Sequence, residues 1–267
     1  MLYDAHNHLH DKRLRPQLEG ILEQLEEHQI AQCVVNGTHP DDWDDVLELH
    51  QRYPHIIIPA LGLHPWKVKD RPLDWFDRLQ NYQRAHPFIG IGECGLDKWI
   101  QDPRFPEQQE CFIAQLSLAT EKNLPISIHC LKAWGPLLET LKKQALPERG
   151  IHLHGFGGSQ ETANELLHLG AYFSFCGYFL QSRKEAVRDV FANLPHDKLL
   201  IETDSPDMLP PKEHISHELD GTINSPLNLK SIAQQLAKIR GVTFPELAQL
   251  TEINFHRYFN HENNLKL

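Results

Sequence analysis

Short apolar runs recur along the chain, each followed by a loop and then by a stretch whose apolar residues return every three or four positions. The runs are LYDAHNHL, AQCVVNGT, IIIPALGLHP, FIGIGECGLD, LPISIHC, GIHLHGF, AYFSFCG and KLLIETDSP, eight in all. Between them PQLEGILEQLEEH, DDWDDVLELHQRY, EQQECFIAQLSLATEK and SRKEAVRDVFANL carry the helical period. Strand then helix, eight times over, predicts a parallel sheet closed as a (β/α)8 TIM barrel, an α/β fold. An open doubly wound sheet fits the same alternation, but its G-x-G-x-x-G turn is missing after the first run. Beyond the eighth run, Ser225 is placed to cap a helix with Pro226 in its first turn, running to Arg240 and stopped by Gly241. A final helix is expected over about 245–259. No low-complexity tract, charge block or repeat divides the chain, so a single barrel domain over 1–267 is expected.

Composition narrows the setting. The 267 residues suit one such barrel, which takes roughly 250. No apolar run approaches the roughly 18 residues of a bilayer span, so a soluble protein with no membrane partner is expected. The chain reads straight into its first strand with no leader-like segment, and its five dispersed cysteines form no C-x-x-C pair. A reducing, cytoplasmic setting follows as the expectation, with the thiols as small buried groups and the protein as a monomer. The net charge of -10 excludes an extended nucleic-acid surface, because phosphate backbones are held by clustered Lys and Arg. Any nucleic-acid contact is therefore local.

Chemistry enters where polar residues break the apolar runs. His6 and His8 end the first run, His64 the third, Glu93 the fourth, His129 the fifth, His154 the sixth, and Glu202 and Asp204 the eighth. These are C-terminal ends, the rim on which such barrels carry active sites. Buried together, the groups are costly unless paired or bound to a cation. His6, His8, Glu93, His129, His154 and Asp204 exceed the needs of one tetrahedral zinc with an open position. Two divalent ions are the economical reading, and the mixed nitrogen and oxygen ligands admit zinc, manganese or magnesium. Two such ions suit hydrolysis of a phosphoester, with Asp204 as the base toward water. Strand alternation places Asp4 and Glu202 on the ligand face one step deeper, where each could accept the free N–H of a ligating imidazole. The same parity sends His152 into core packing and turns Cys94 and Cys130 outward.

At these positions the sequence resembles the TatD family of metal-dependent hydrolases, a branch of the amidohydrolase-like barrels. The resemblance rests on DAHNH, GLHP at 62–65, GECGLD at 92–97, PISIHC at 125–130, HGFGG at 154–158 and ETDSP at 202–206, six pieces in order across nearly the whole chain. It implies that His6, His8, Glu93 and Asp204 hold one metal and that His129 and His154 hold a second, with Glu93 bridging. It also implies metal-dependent DNase activity, often from a 3′ end, although some relatives hydrolyse other esters, including D-aminoacyl-tRNA. His64 and Asp97 match family positions near the metals and are expected to orient groups or touch substrate.

Two departures concern substrate. Many relatives carry Arg two residues after the fifth-run His, whereas this chain has Leu131, with Lys132 beside it able to supply only a point charge. Where relatives continue GLD with two aromatics, Lys98 and Trp99 stand instead, and Trp99 is expected to pack under a loop rather than stack on a base. Arg183 and Lys184 read as a solvated helix start, and the loop from Pro206 to Asn224 as a partial lid with exposed histidines. Single-stranded DNA or a small phosphoester is thus the expected substrate. The rival reading is an amidohydrolase-like enzyme for a carboxylic ester, lactone or amide.

Overall fold

The structure is a computed structural model and describes residues 1–260. Its strands are β1 (Leu2–Asn7), β2 (Ile30–Asn36), β3 (Ile57–Leu61), β4 (Gly90–Asp97), β5 (Ile126–Leu131), β6 (Ile151–Leu153), β7 (Ala171–Phe175) and β8 (Leu199–Ile201). They run parallel in the order of the sequence, each bonded to the next. The ring closes between β8 and β1, where the Asp204 amide donates to the His6 carbonyl at 2.9 Å and the His8 amide to that of Ser205 at 2.7 Å. The apolar runs thus form the expected nearly closed (β/α)8 barrel.

The helices are α1 (Leu18–Gln24), α2 (Trp43–Arg52), α3 (Trp75–Ala85), α4 (Phe105–Lys122), α5 (Trp134–Lys143), α6 (Gln160–His168), α7 (Glu185–Asn193), α8 (Leu229–Arg240) and α9 (Phe244–Phe259). Helix α8 has the expected Gly241 stop at φ 65°, while Ser225 caps a short 3-10 turn that precedes it. In α9, Thr243 and Glu246 form a capping box. Helix α1 is shorter than its apolar period suggests, because the chain turns before β2 through Gln29 at φ 63°.

Two irregularities decide which side chains look into the barrel. Along β1, Asp4 pairs with Cys33 and Asn7 with Val35, so three steps on β1 oppose two on β2; this is a β-bulge. Along β4, Ile91 pairs with Ile126 and Cys94 with Ile128, a second bulge of the same count at Gly92 and Glu93. Simple alternation fails across each bulge. Asp4 lies with Cys33 and Asn7 rather than beneath His6, and Ala5 packs inside the barrel against Val34, Ala60 and Leu200. Gly95 lets β4 approach β5, since a Cβ there would come within 2.0 Å of the His129 carbonyl oxygen.

The larger core lies between strands and helices, and a second fills the lower barrel. There Phe255, Tyr258 and Phe259 of α9 pack on Tyr3 and Tyr172 as a plug. The Tyr258 hydroxyl donates to the Ile126 carbonyl at 2.8 Å and accepts from the Ile126 amide at 3.0 Å, pinning α9 to β5. Among the described residues, no helix is long and apolar enough to cross a membrane.

Candidate metal centre

Glu93, buried at the bulge of β4, is the centre of the site. Its Oε2 faces His6 Nε2 at 3.4 Å and His8 Nε2 at 3.2 Å, while Asp204 Oδ1 stands 3.6 and 3.5 Å from the same two nitrogens. Its Oε1 faces His154 Nε2 at 2.8 Å, His129 Nδ1 at 3.0 Å and His64 Nε2 at 3.0 Å. One carboxylate therefore joins two clusters. Asp204, just beyond β8, is aimed inward by a left-handed backbone at φ 53°, a conformation few non-glycine residues take.

The far nitrogen of each imidazole fixes what the near one presents. His8 Nδ1–H donates to the Asn36 carbonyl at 2.8 Å, leaving Nε2 as a lone pair toward Glu93. His129 Nε2–H donates to Asp97 at 2.9 Å, leaving Nδ1 as the lone pair. For His6 the partner is Ser127, and a buried chain sets the direction. Ser174 Oγ–H donates to Glu202, so His152 Nε2–H donates to Ser174 at 2.7 Å. His152 Nδ1 then accepts from Ser127 at 3.3 Å, and Ser127 accepts from His6 Nδ1–H at 2.8 Å. His6 Nε2 is left buried, aimed at Glu93 and Asp204, with no hydrogen-bond partner among the described residues. His64 differs: its Nδ1 accepts from the Trp66 amide at 3.1 Å, so Nε2 carries the hydrogen and donates to Glu93.

Lone pairs that converge on carboxylates attract a shared proton or a divalent cation. The titration behaviour follows from this. Burial alone would raise the Glu93 carboxyl, yet the surrounding imidazoles of His64, His154 and His129 hold it well below the usual carboxylate range. Burial works against protonation of His8, but Asp204 and Glu93 push it well above the ordinary imidazole value; Glu93 and Glu202 do the same for His154. Burial, reinforced by His154, holds His6 well below that value, and burial holds His152 neutral. His6, His8 and Glu93 lie close enough to hold an ion, as do His6, His154 and Glu202; in the third such group, of His64, Glu93 and His129, the His64 nitrogen that faces Glu93 already carries a hydrogen. The inward lone pairs of His6, His8 and His129, that of His6 buried and without a partner, together with the Glu93 and Asp204 carboxylates, fit divalent metal.

Other expected residues fall differently. Asp97, expected to orient groups or touch substrate, is buried and accepts from His129, from Trp66 Nε1 at 2.7 Å and from the Trp99 amide at 2.6 Å. Asp4 does not reach an imidazole N–H: the β1 bulge diverts it to Thr203, whose amide donates at 2.9 Å, and to Asn7 at 3.0 Å. Burial, against those donors, pushes its pKa up to about 7. Glu202 lies beside His154 Nδ1 at 3.7 Å, too far for a hydrogen bond, and accepts instead from the Gly155 amide at 2.6 Å and from Ser174. His152 is fully buried and packs edge-on against the Tyr258 and Phe259 rings, and its nitrogens also join the polar chain. Lys132 is exposed and lies outside the cavity wall. Trp99 is not packed under a loop; it stands in solvent at the cavity mouth. Arg183 packs on Tyr178, away from the cavity. The 206–224 loop reaches the cavity only through Asp207 and Met208, and His214 and His217 are half-buried. Cys94 and Cys130 are buried, and burial pushes both thiols up. The sequence pattern does not single out Ser127, Ser174 or Asn36; small polar groups inside strands carry no distinctive spacing, although Ser127 lies two before His129 on one strand face.

A parallel barrel whose C-terminal rim gathers imidazoles around a bridging carboxylate defines the metal-dependent hydrolases. Residues 3–260 match the family model described as TatD related DNase, and the chain belongs to that family. It is 33% identical over 97% of its length to an uncharacterized metal-dependent hydrolase, YabD of Bacillus subtilis, covering 99% of that protein. It is 28% identical to the 3'-5' ssDNA/RNA exonuclease TatD of Erwinia tasmaniensis, covering 97% of this chain and all of that one. The crystal structure of the TatD homolog YjjV from Escherichia coli superposes with a TM-score of 0.90 at 30% identity, over 97% of this chain and 98% of the other. The protein is a metal-dependent hydrolase.

Proposed function

We propose that the protein hydrolyses phosphodiester bonds at the ends of single-stranded DNA or in short nucleotide products. His6, His8, Glu93 and Asp204 would hold one divalent ion, and Glu93, His129 and His154 a second, with zinc, manganese or magnesium as the metal. Bound there, the ions supply Lewis-acid polarisation of water and of a phosphoryl oxygen. Asp204 takes the proton of the attacking water: of the two carboxylates that line the cavity beside His8, its side chain is the more exposed and Glu93 is enclosed by imidazoles. Asp97, Asn36 and Ser127 hold the ligating rings in the tautomers that keep their lone pairs inward. His64 Nε2–H steadies the Glu93 charge.

The carrying observation is the division of Glu93 between two imidazole clusters, Oε2 to one and Oε1 to the other. The substrate follows the exonuclease among the relatives. Five unpaired, buried cysteines support a reducing compartment, hence the cytoplasm, and one barrel is read as the sole domain. Leu131, half-exposed in the cavity wall where relatives carry Arg, favours the second reading of an uncharged ester or lactone. Protein of measured metal content, assayed on single-stranded oligonucleotides and on an ester and lactone panel, separates the two. Asp204→Asn should lower turnover at least about a hundredfold with circular dichroism unchanged. Wild-type turnover in that variant removes Asp204 from the reaction.

A further inference from the structure

The cavity above the metal centre holds about 970 Å³, far more than a phosphate needs, and its walls are chemically uneven. Among the described residues seven large apolar side chains are exposed, and three of them, Trp66, Trp99 and Leu131, line this one cavity. They are 48%, 59% and 38% exposed. Apolar exposure gathered at one mouth marks a contact surface. Both tryptophans are tied to one carboxylate: Trp66 Nε1 and the Trp99 amide donate to Asp97, which also holds His129. The Trp66 ring centroid lies 6.3 Å from that of His129, so the wall begins beside the reacting centre.

The rest of the mouth has no excess of positive charge: Asp41 and Asp70 are exposed on it, and Asp207 is paired with Arg13 at 2.8 Å. Its Arg15 is already paired with Asp45 at 2.7 Å, which leaves Lys12 and Lys67 as the lysines of the lining. Away from the metal centre, two lysines balanced by two aspartates give little hold on the phosphates of a strand, because phosphate affinity needs clustered cations. Stacking on an aromatic face needs none and accepts any base.

We infer that Trp99 and Trp66, with Leu131, form a stacking platform for the unpaired nucleobase beside the scissile phosphate, and that this contact, not backbone charge, supplies substrate affinity. The inference rests on the phosphodiesterase reading and deepens it. A base held in a duplex offers no free face, so the platform selects frayed or single-stranded ends. Binding should therefore vary little with salt.

The test uses metal-loaded full-length protein and a short single-stranded DNA whose 3′-terminal linkages are cleavage-resistant phosphorothioates, alongside the same strand with abasic sugars at its 3′ end. Wild type should bind the base-bearing strand about tenfold or more tighter than the abasic one, the range expected for stacking one base. Trp99→Ala should remove much of that difference and Trp99→Ala with Trp66→Ala nearly all of it, and Trp99→Phe should restore most of what Trp99→Ala loses. Between about 50 and 200 mM salt the affinity should change only a fewfold, against the thousandfold or more of a phosphate-driven binder. Equal affinity of wild type for the two strands, or a steep salt slope, overturns the inference. Failure of wild type to cleave the unmodified strand overturns the phosphodiesterase reading instead, and because binding and cleavage are measured separately the two failures are distinguishable.

Discussion

The tautomer of His6 is set by a neighbour with no chemistry of its own. Ser127 accepts from His6 Nδ1–H and passes its own proton to His152, so one hydroxyl keeps Nε2 free to ligate. Ser127→Ala should lower divalent-metal affinity about 10- to 100-fold, as loss of such outer partners does, with thermal stability little changed; isothermal titration reads it. Unaltered affinity would show that His6 keeps its tautomer without help. Leu131 is a second single-residue test. Leu131→Arg adds a planar fork at the cavity mouth, so it should raise cleavage of single-stranded DNA and lower turnover of any uncharged ester. Both rates unchanged from wild type would mean that position 131 does not touch the substrate.

Elements determine what the sequence could reveal. The strand and helix alternation was legible because each apolar run is bounded by loops, and the positions of His6, His8, Glu93, His129, His154 and Asp204 were legible because polar residues interrupt those runs. Alternation misplaces Asp4 because it assumes an unbroken pleat, and the bulge in β1 adds one residue that no propensity announces. Glu93 sits on the companion bulge in β4, where Gly92 in the strand interior was the available sign. Strands β6 and β8 are three residues each, so His154, Glu202 and Asp204 ride on the loops beyond them. The plug was hidden for another reason: a terminal amphipathic helix shows an apolar face but not what that face will cover. Its anchor is testable. Tyr258→Phe leaves the buried Ile126 amide and carbonyl without their hydroxyl partner, which should cost about 1–3 kcal/mol in denaturant melts while metal affinity stays unchanged.

For the whole molecule, stability and metal are linked through the imidazoles. His8, His129 and His154 are raised in the fold by nearby carboxylates, against burial. Such groups stabilise the metal-free protein fully below the unfolded imidazole value of about 6.5, and that stabilisation is lost as pH climbs through the raised folded values. Metal binding requires the same nitrogens unprotonated, so uptake releases protons and strengthens with pH. The rise in melting temperature on adding manganese or zinc should therefore grow from about pH 6.5 upward. A rise that shrinks with pH would mean that these histidines are not the ligands. The plug has a consequence in the order of biosynthesis. Tyr3 is made with the first strand, yet Phe255 and Phe259, which cover it and its neighbours, come from α9, after all eight strands. Asp204 likewise emerges long after His6, to which its amide is bonded. A nascent chain can thus complete its metal ligands only after β8 has been made and seal its lower barrel only after α9 has been made, so an enzyme proposed to degrade nucleic acid is withheld from activity until the whole barrel has emerged.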